Sequence, residues 1–336
     1  MPTRRRSVSI GLKMTGVSVL SALLALALGS SESAARNATE DALRYLPCPE
    51  PATIHPCVCT VDEDHSMDMD CSLVQSEDQL ARIFSSDIPF TRFRRLVIMN
   101  NRNLMALRSG DLGVASFETI FIQGGILEEV LAQTLANSYS SATHIDLNDN
   151  RVLDFPFLEL PLFTSLRSLK LSMNWLSEFP TLQSSVLQHV ELDKNSFDRI
   201  PADGFTFLTN VETISLSNNH LQMILPGTFL DLPFLRELHL DNNQLSYISP
   251  GTIAEFKGGL LDLKENSLTV LDEEVFRPFV QGGTTVALNG NPLRCGCDIA
   301  WLVVNGAFVD LISDGTTCSD GEFLADLDPS IFLDLC

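Results

Sequence analysis

The chain is short of positive charge: 22 Lys and Arg stand against 43 Asp and Glu, a formal net charge of −21 over 336 residues. The first 35 residues hold Arg4, Arg5, Arg6 and Lys13 against Glu32, leaving 18 basic and 42 acidic groups for the remainder. No basic stripe interrupts that surplus. Nucleic acid, heparin-like chains and anionic lipid are therefore poor partners for the general surface, because like charge raises the energy of approach. A large net charge also serves solubility alone. Long apolar runs are missing too. The run 17–28 is the longest, and its twelve residues are too few to span a bilayer comfortably. Preceded by arginines and followed by small residues, it reads as a secretory leader, residues 1–35, cleaved between 29 and 35, with an uncleaved anchor as the alternative. No hydrophobic tail precedes Cys336, which argues against a C-terminal span or lipid anchor. Catalytic signatures are also lacking: no G-x-S-x-G, H-E-x-x-H, phosphate loop or dinucleotide fingerprint occurs. The sequence offers no catalytic residue, cofactor or metal.

What the chain does have is hydrophobic content of 45% and asparagine set repeatedly in an apolar frame. "ISLSNNHLQMI" (214–224) returns as "LHLDNNQLSYI" (238–248). Aligned on Asn219, the pattern L-x-x-L-x-L-x-x-N-x-L places its ninth position at Asn101, Gly125, Asn150, Asn174, Asn195, Asn219, Asn243, Asn266 and Asn291. The intervals are 24, 25, 24, 21, 24, 24, 23 and 25 residues, the period of leucine-rich repeats. Two strand positions are apolar throughout, from Leu96 and Ile98 to Val286 and Leu288. After each strand the backbone must turn inward, burying N–H and C=O groups that no strand neighbour reaches, at roughly 1–3 kcal/mol for each unmet group. A short amide carries an acceptor and two donors and serves those groups, whereas leucine leaves them unmet. Gly125 abandons the device, so the early turns are expected to be less regular.

Stacked units of this kind give one parallel strand per repeat, about 4.8 Å apart. The expected fold is an α/β solenoid: a curved leucine-rich repeat horseshoe with a parallel concave sheet and disulfide-bonded end caps. Phe205, Phe229 and Phe276 recur at repeat period and read as a buried outer spine. The raw ends of a stack need caps, and all eight cysteines lie where caps belong: Cys48, Cys57, Cys59 and Cys71, then Cys295, Cys297, Cys318 and Cys336. An even count in a secreted chain favours disulfides over zinc, since paired C-x2-C knuckles are absent. A bridge within C-x-C is strained, which leaves two pairings open for each cap. In "SMDMDC" the alternation puts Met67, Met69 and Cys71 on one face and Asp68 and Asp70 on the solvated other. The acid-rich stretch around it lacks the glycine and terminal glutamate of an EF-hand calcium loop.

Residues 93–293 resemble extracellular leucine-rich repeats, and "NPLRCGCDIAWL" with Cys318 and Cys336 is similar to the cysteine-bounded C-terminal cap of that superfamily. The resemblance implies bridges Cys295–Cys318 and Cys297–Cys336, with Trp301 packed over the last repeat, and Cys48–Cys59 with Cys57–Cys71 at the other end. The gap from Cys48 to Cys57 is longer than such caps usually show. The organisation expected is a leader (1–35), a mature N-terminal linker (36–47), a cysteine-rich cap and link (48–92), nine repeats (93–293) and a second cysteine-rich cap (294–336). "PCVCTVDEDHSMDMDCS" and "LNGNPLRCGCDIAWLV" are further similar to arthropod secreted proteins of the oplophorus-luciferin 2-monooxygenase non-catalytic subunit family. That likeness implies an extracellular protein that accompanies an oxidation without performing it, with a small secreted oxidase or luciferase-like catalytic subunit as partner. Asn37-Ala38-Thr39 is an N-glycosylation sequon just beyond the leader.

Solenoids usually bind on the inner wall of the sheet. The central outward position reads Val97, Phe121, Asp146, Lys170, Glu191, Ser215, His239, Asp262 and Ala287. Two residues on come Met99, Gln123, Asn148, Ser172, Asp193, Ser217, Asp241, Lys264 and Asn289. The candidate binding face is Val97, Met99, Phe121, Asp146, Glu191, His239 and Asp241: apolar first, then mostly acidic, with the N-terminal cap as an alternative cover for the apolar end. His144 with Asp146, and His189 with Glu191, sit two strands apart, roughly 10 Å, too far to share an ion. Glu237, His239 and Asp241 share one strand face, but an open sheet gives no closed coordination shell. The function expected is secreted, non-enzymatic binding of a protein on the concave face. Innate recognition of microbial glycans or lipids is the alternative, and an enzyme is set aside for want of motifs.

Overall fold

The computed structural model describes residues 48–253 and 256–336. The leader, the linker and the sequon at Asn37 lie outside them. Within the unit that runs to Cys336, eleven strands form one sheet. We number them β1 (Val58–Val61), β2 (Met67–Asp70), β3 (Arg92–Met99), β4 (Ser116–Gln123), β5 (His144–Asp146), β6 (Ser168–Lys170), β7 (His189–Glu191), β8 (Thr213–Ser215), β9 (Glu237–His239), β10 (Leu260–Asp262) and β11 (Thr285–Ala287). β1 and β2 form an antiparallel hairpin, and every later neighbour is parallel in chain order. β3 to β11 are one strand per repeat. Most are three residues long, because only the L-x-L core of each repeat stays in the ladder before the chain turns in. β3 and β4 are the exceptions, at eight residues each.

The turn is made by a residue in the left-handed region just before each ladder position: Asn100, Gly124, Asp149, Met173, Lys194, Asn218, Asn242, Glu265 and Gly290 all have φ between +51° and +76°. This conformation aims the next side chain into the core. Each regular asparagine then spans two repeats. Asn219 Nδ2 donates to Leu192 O (3.1 Å) and Leu216 O (3.0 Å), while its Oδ1 accepts from Phe197 N (3.2 Å). Asn174, Asn195, Asn243, Asn266 and Asn291 repeat that set on their own neighbours. Asn150 does the same through Ile122 O and Leu127 N. Asn101 differs. Its Oδ1 turns back to accept Asn103 N and Leu104 N, both at 2.8 Å, and its amide donates to Ser72 O and Val74 O in the cap. Gly125 explains the change: it has no acceptor to offer Asn103 N, the donor two residues past the ladder position that the next asparagine serves in the regular repeats, and a Cβ there would lie 2.8 Å from both Asn101 O and Asn150 Oδ1.

Little of the outer side is helical. Short strand pairs and 3-10 turns carry most returns, with α-helices of a few turns at Glu77–Phe84 and Glu273–Gln281. Phe205 and Phe229 stack at 5.0 Å, and Phe179 meets Phe197 and Phe205 edge-on, both at 5.2 Å. Phe276 is buried as well, though the ring pair at that end is Phe256–Phe279.

Both ends are sealed by covalent loops. Cys48 is bonded to Cys59, Cys57 to Cys71, Cys295 to Cys318 and Cys297 to Cys336. At the first end β2 continues the parallel sheet, and Asp68 is buried where the alternation placed it in solvent. The reason is a charge cluster: Asp68 receives Arg94 Nε at 2.9 Å and Nη2 at 2.6 Å, and Arg95 besides. At the far end β11 is covered by the segment around Ile312, with Val286 N donating to Leu311 O at 2.8 Å. Trp301 is buried there, its indole N–H 3.4 Å from Leu271 O and the Arg277 guanidinium over its ring. It thus rests on the repeat before the final strand.

Candidate functional site

The parallel register brings one outward residue from each strand into a continuous row: Val58, Asp70, Val97, Phe121, Asp146, Lys170, Glu191, Ser215, His239, Asp262 and Ala287. Alternation leaves this row on the face opposite the leucines, whose side chains are fully buried. The cap hairpin lengthens the wall at its apolar end, since β2 lies beside β3 in the same sheet. Val97 and Phe121 are half-buried between neighbours, and Met99 and Val58 are exposed.

Beyond β4 the wall is polar and wired laterally. Lys170 Nζ reaches Glu191 at 2.7 Å. Asp193 accepts Ser172 Oγ at 3.1 Å, the Ser215 hydroxyl and Ser217 N at 2.8 Å. Asp241 accepts the Ser217 hydroxyl and Asn242 Nδ2. Asp146 is largely buried and caps its own turn by accepting Asn148 N at 3.1 Å. His144 and His189 are separated by Ser168 on β6. Burial, then the charges of His189, Lys170 and Arg167, push the His144 imidazole below the usual histidine range.

Near the far end three groups converge. One donor or acceptor atom each from His239, Asp241 and Asp262 lies within 4.8 Å of the others. The Glu237 carboxylate is 3.8 Å from His239 Nε2, and Lys264 Nζ sits 3.0 Å from Asp262 Oδ2. The hydrogen bond and charge of Asp262 raise the Lys264 ammonium above the ordinary lysine value. Asp262 joins this group because it faces His239 across β9 and β10. Reading within one strand brought together Glu237, His239 and Asp241, while the aligned row held the signal for Asp262. The left-handed residue before each of the nine ladder positions was the feature missed. Six of the nine are Asn, Asp or Gly, the types that tolerate that conformation, which is a readable signal.

A parallel one-strand-per-repeat sheet with an amide ladder and cysteine-closed ends defines a leucine-rich repeat protein whose sheet presents an open wall. The Leucine rich repeat family model matches residues 185–245. The chain is also 32% identical over 316 residues to the Oplophorus-luciferin 2-monooxygenase non-catalytic subunit of Oplophorus gracilirostris, covering 86% of this chain and 88% of that one. It belongs to this non-catalytic leucine-rich repeat family. Among solved structures, a chain in the octameric complex of Latrophilin 3, Unc5D and FLRT2 is similar at TM-score 0.59 and 19% identity, covering 80% of this chain and 97% of that one. Human 5T4 is similar at TM-score 0.50 and 20% identity, over 82% and 98% of the two chains. TLR13, in complex with ssRNA13, is similar at TM-score 0.54 and 16% identity, and the match covers 75% of this chain but only 41% of TLR13. At these identities the likeness to the three structures is one of fold.

Proposed function

We propose that the chain is a secreted, non-enzymatic binding subunit that holds a protein partner on its concave sheet, and that the partner is a small secreted oxidase of the luciferase type. The observation that carries this reading is the wall itself: eleven in-register strands present an open surface, with both ends closed by disulfide-bonded caps. An open sheet suits a broad protein contact better than a small substrate, which needs a concave, water-excluding pocket. Extracellular placement is supported by the four disulfides, which persist in oxidising compartments. The relative, named as one subunit of a monooxygenase, supports the choice of partner.

Affinity capture with the full chain from its native fluid, identified by mass spectrometry, tests the reading. A secreted protein retained by the wild type and released by Phe121→Asp or Glu191→Lys, at unchanged melting temperature, is the expected result. Retention indifferent to both wall changes, or oxidation of a luciferin-like substrate by the isolated chain, defeats it.

A further inference from the structure

We propose that the wall is a two-ended receptor: its far end takes a lysine or arginine head from a cationic protein partner at His239, Asp241 and Asp262, while Val97, Met99 and Phe121 hold an apolar group of the same partner. This rests on the concave-face reading above and adds the chemistry of the occupant.

Charge complementarity is the first support. From β5 onward the wall carries Asp146, Glu191, Asp193, Glu237, Asp241 and Asp262, against Lys170 and Lys264. Both lysines are already spent on wall carboxylates, at 2.7 and 3.0 Å. The surplus adds to a chain of net charge −21, so the long-range field and the local acceptors favour the same sign of partner.

The geometry at β9 and β10 is the second. A space bounded by acceptors within 4.8 Å of one another suits a single ammonium or guanidinium head, which brings three or five donors. His239 and Asp241 are half-buried and Asp262 is buried, so water screens the contact less than at an open surface. The chain's own Lys264 already shows the preference, resting its ammonium on Asp262. That lysine is partly exposed on a flexible stem and is free to swing into solvent when a partner's cation replaces it.

The apolar end lies five strands away, about 24 Å at the usual strand spacing. Phe121 and His239 belong to the same row, so a partner must offer its apolar and basic groups at that separation. An extended segment covers the distance in roughly seven residues.

Two synthetic twelve-residue peptides test this, each with tryptophan near one end. One carries Arg-Lys seven residues on, the other Glu-Glu. Fluorescence anisotropy with the full chain is expected to show the basic peptide binding at least tenfold more tightly, and losing affinity as salt rises. Glu237→Gln combined with Asp241→Asn is expected to cost at least tenfold, Met99→Ser to weaken binding several-fold, and Lys264→Ala to tighten it by removing the internal competitor. Equal or absent binding of the two peptides, or indifference to the Glu237 and Asp241 changes in chains with wild-type melting curves, overturns the proposal. The concave-face reading survives that outcome if capture still depends on Phe121. It falls with intact peptide discrimination if capture ignores the wall.

Discussion

Replacing Asn219 by leucine isolates what the amide ladder contributes, because the two side chains are close in volume and only the polar groups change. In the structure Phe197 N–H has Asn219 Oδ1 as its acceptor, at 3.2 Å, so the leucine variant leaves a buried donor unmet. Leu192 O and Leu216 O each keep a second amide, from Asn195 and Asn243, and lose one of two bonds. One orphaned donor at about 1–3 kcal/mol and two weakened acceptors at about 0.5–1 kcal/mol each give a loss of roughly 2–5 kcal/mol. For a chain of this size that is roughly a 3–8 °C fall in melting temperature. Asn219→Asp is the sharper control. It keeps the acceptor for Phe197 N but sets a buried carboxylate against Leu192 O and Leu216 O, at the 3.0–3.1 Å now spanned by donors. Folding disfavours that charged form and so raises the carboxyl above its unfolded value of about 4; the charge penalty is absent below that value, where the protonated group donates, grows as pH rises past it, and is complete only above the raised folded value. Urea and thermal unfolding at pH 7 and pH 4 read both effects. A leucine variant within about 0.5 kcal/mol of wild type, the scale of an ordinary surface change, refutes the reasoning, as does an aspartate variant milder than leucine at pH 7.

Gly125→Asn restores the repeat pattern yet is expected to destabilise by at least about 1 kcal/mol, since its Cβ would stand 2.8 Å from Asn101 O and Asn150 Oδ1; any rise in melting temperature contradicts this. The Asp68 carboxyl is pushed up by burial but held at about 2 by Arg94 and Arg95, against an ordinary value of 3.8. Its pairing therefore contributes stability, about 1–2 kcal/mol once partly exposed arginines are allowed for, that is full above pH 4 and lost as pH falls towards 2. Arg94→Met should flatten that part of the pH–stability curve, measured by urea midpoints. Cys297→Ser with Cys336→Ser opens a loop of sequence separation 39, for which the chain-entropy estimate is about 4 kcal/mol. Cleavage by limited proteolysis should begin in the cap after Leu293, and cleavage starting in the central repeats would count against it.

Much of the fold was readable because the repeat ties one chemical need to one position. An asparagine every two dozen residues, behind two apolar side chains pointing the same way, admits few solutions other than stacked strands with amides facing inward. The asparagines from Asn150 to Asn291 bond across neighbouring repeats as that argument requires. The alternation that fixed the wall also fixed which residues face out, since a strand's period of two leaves no freedom once one face is leucine.

Other features depend on what lies beside a residue in the next turn of the stack, which a linear reading does not hold. Asp68 alternates like a solvated residue, but β2 pairs with β3 and sets it under Arg94 and Arg95, some two dozen residues away in sequence. Asn101 looks like its seven counterparts and bonds differently, because its neighbour in space is Gly125. His239 meets Asp262 only through the register of β9 and β10. The sequence alone determined the repeat, the ladder and the orientation of the wall, since these follow from local periodicity. The tertiary structure decided which charges cancel, which amide turns back and which acids gather, because those outcomes are set by contacts between residues far apart along the chain and about 5 Å apart across it.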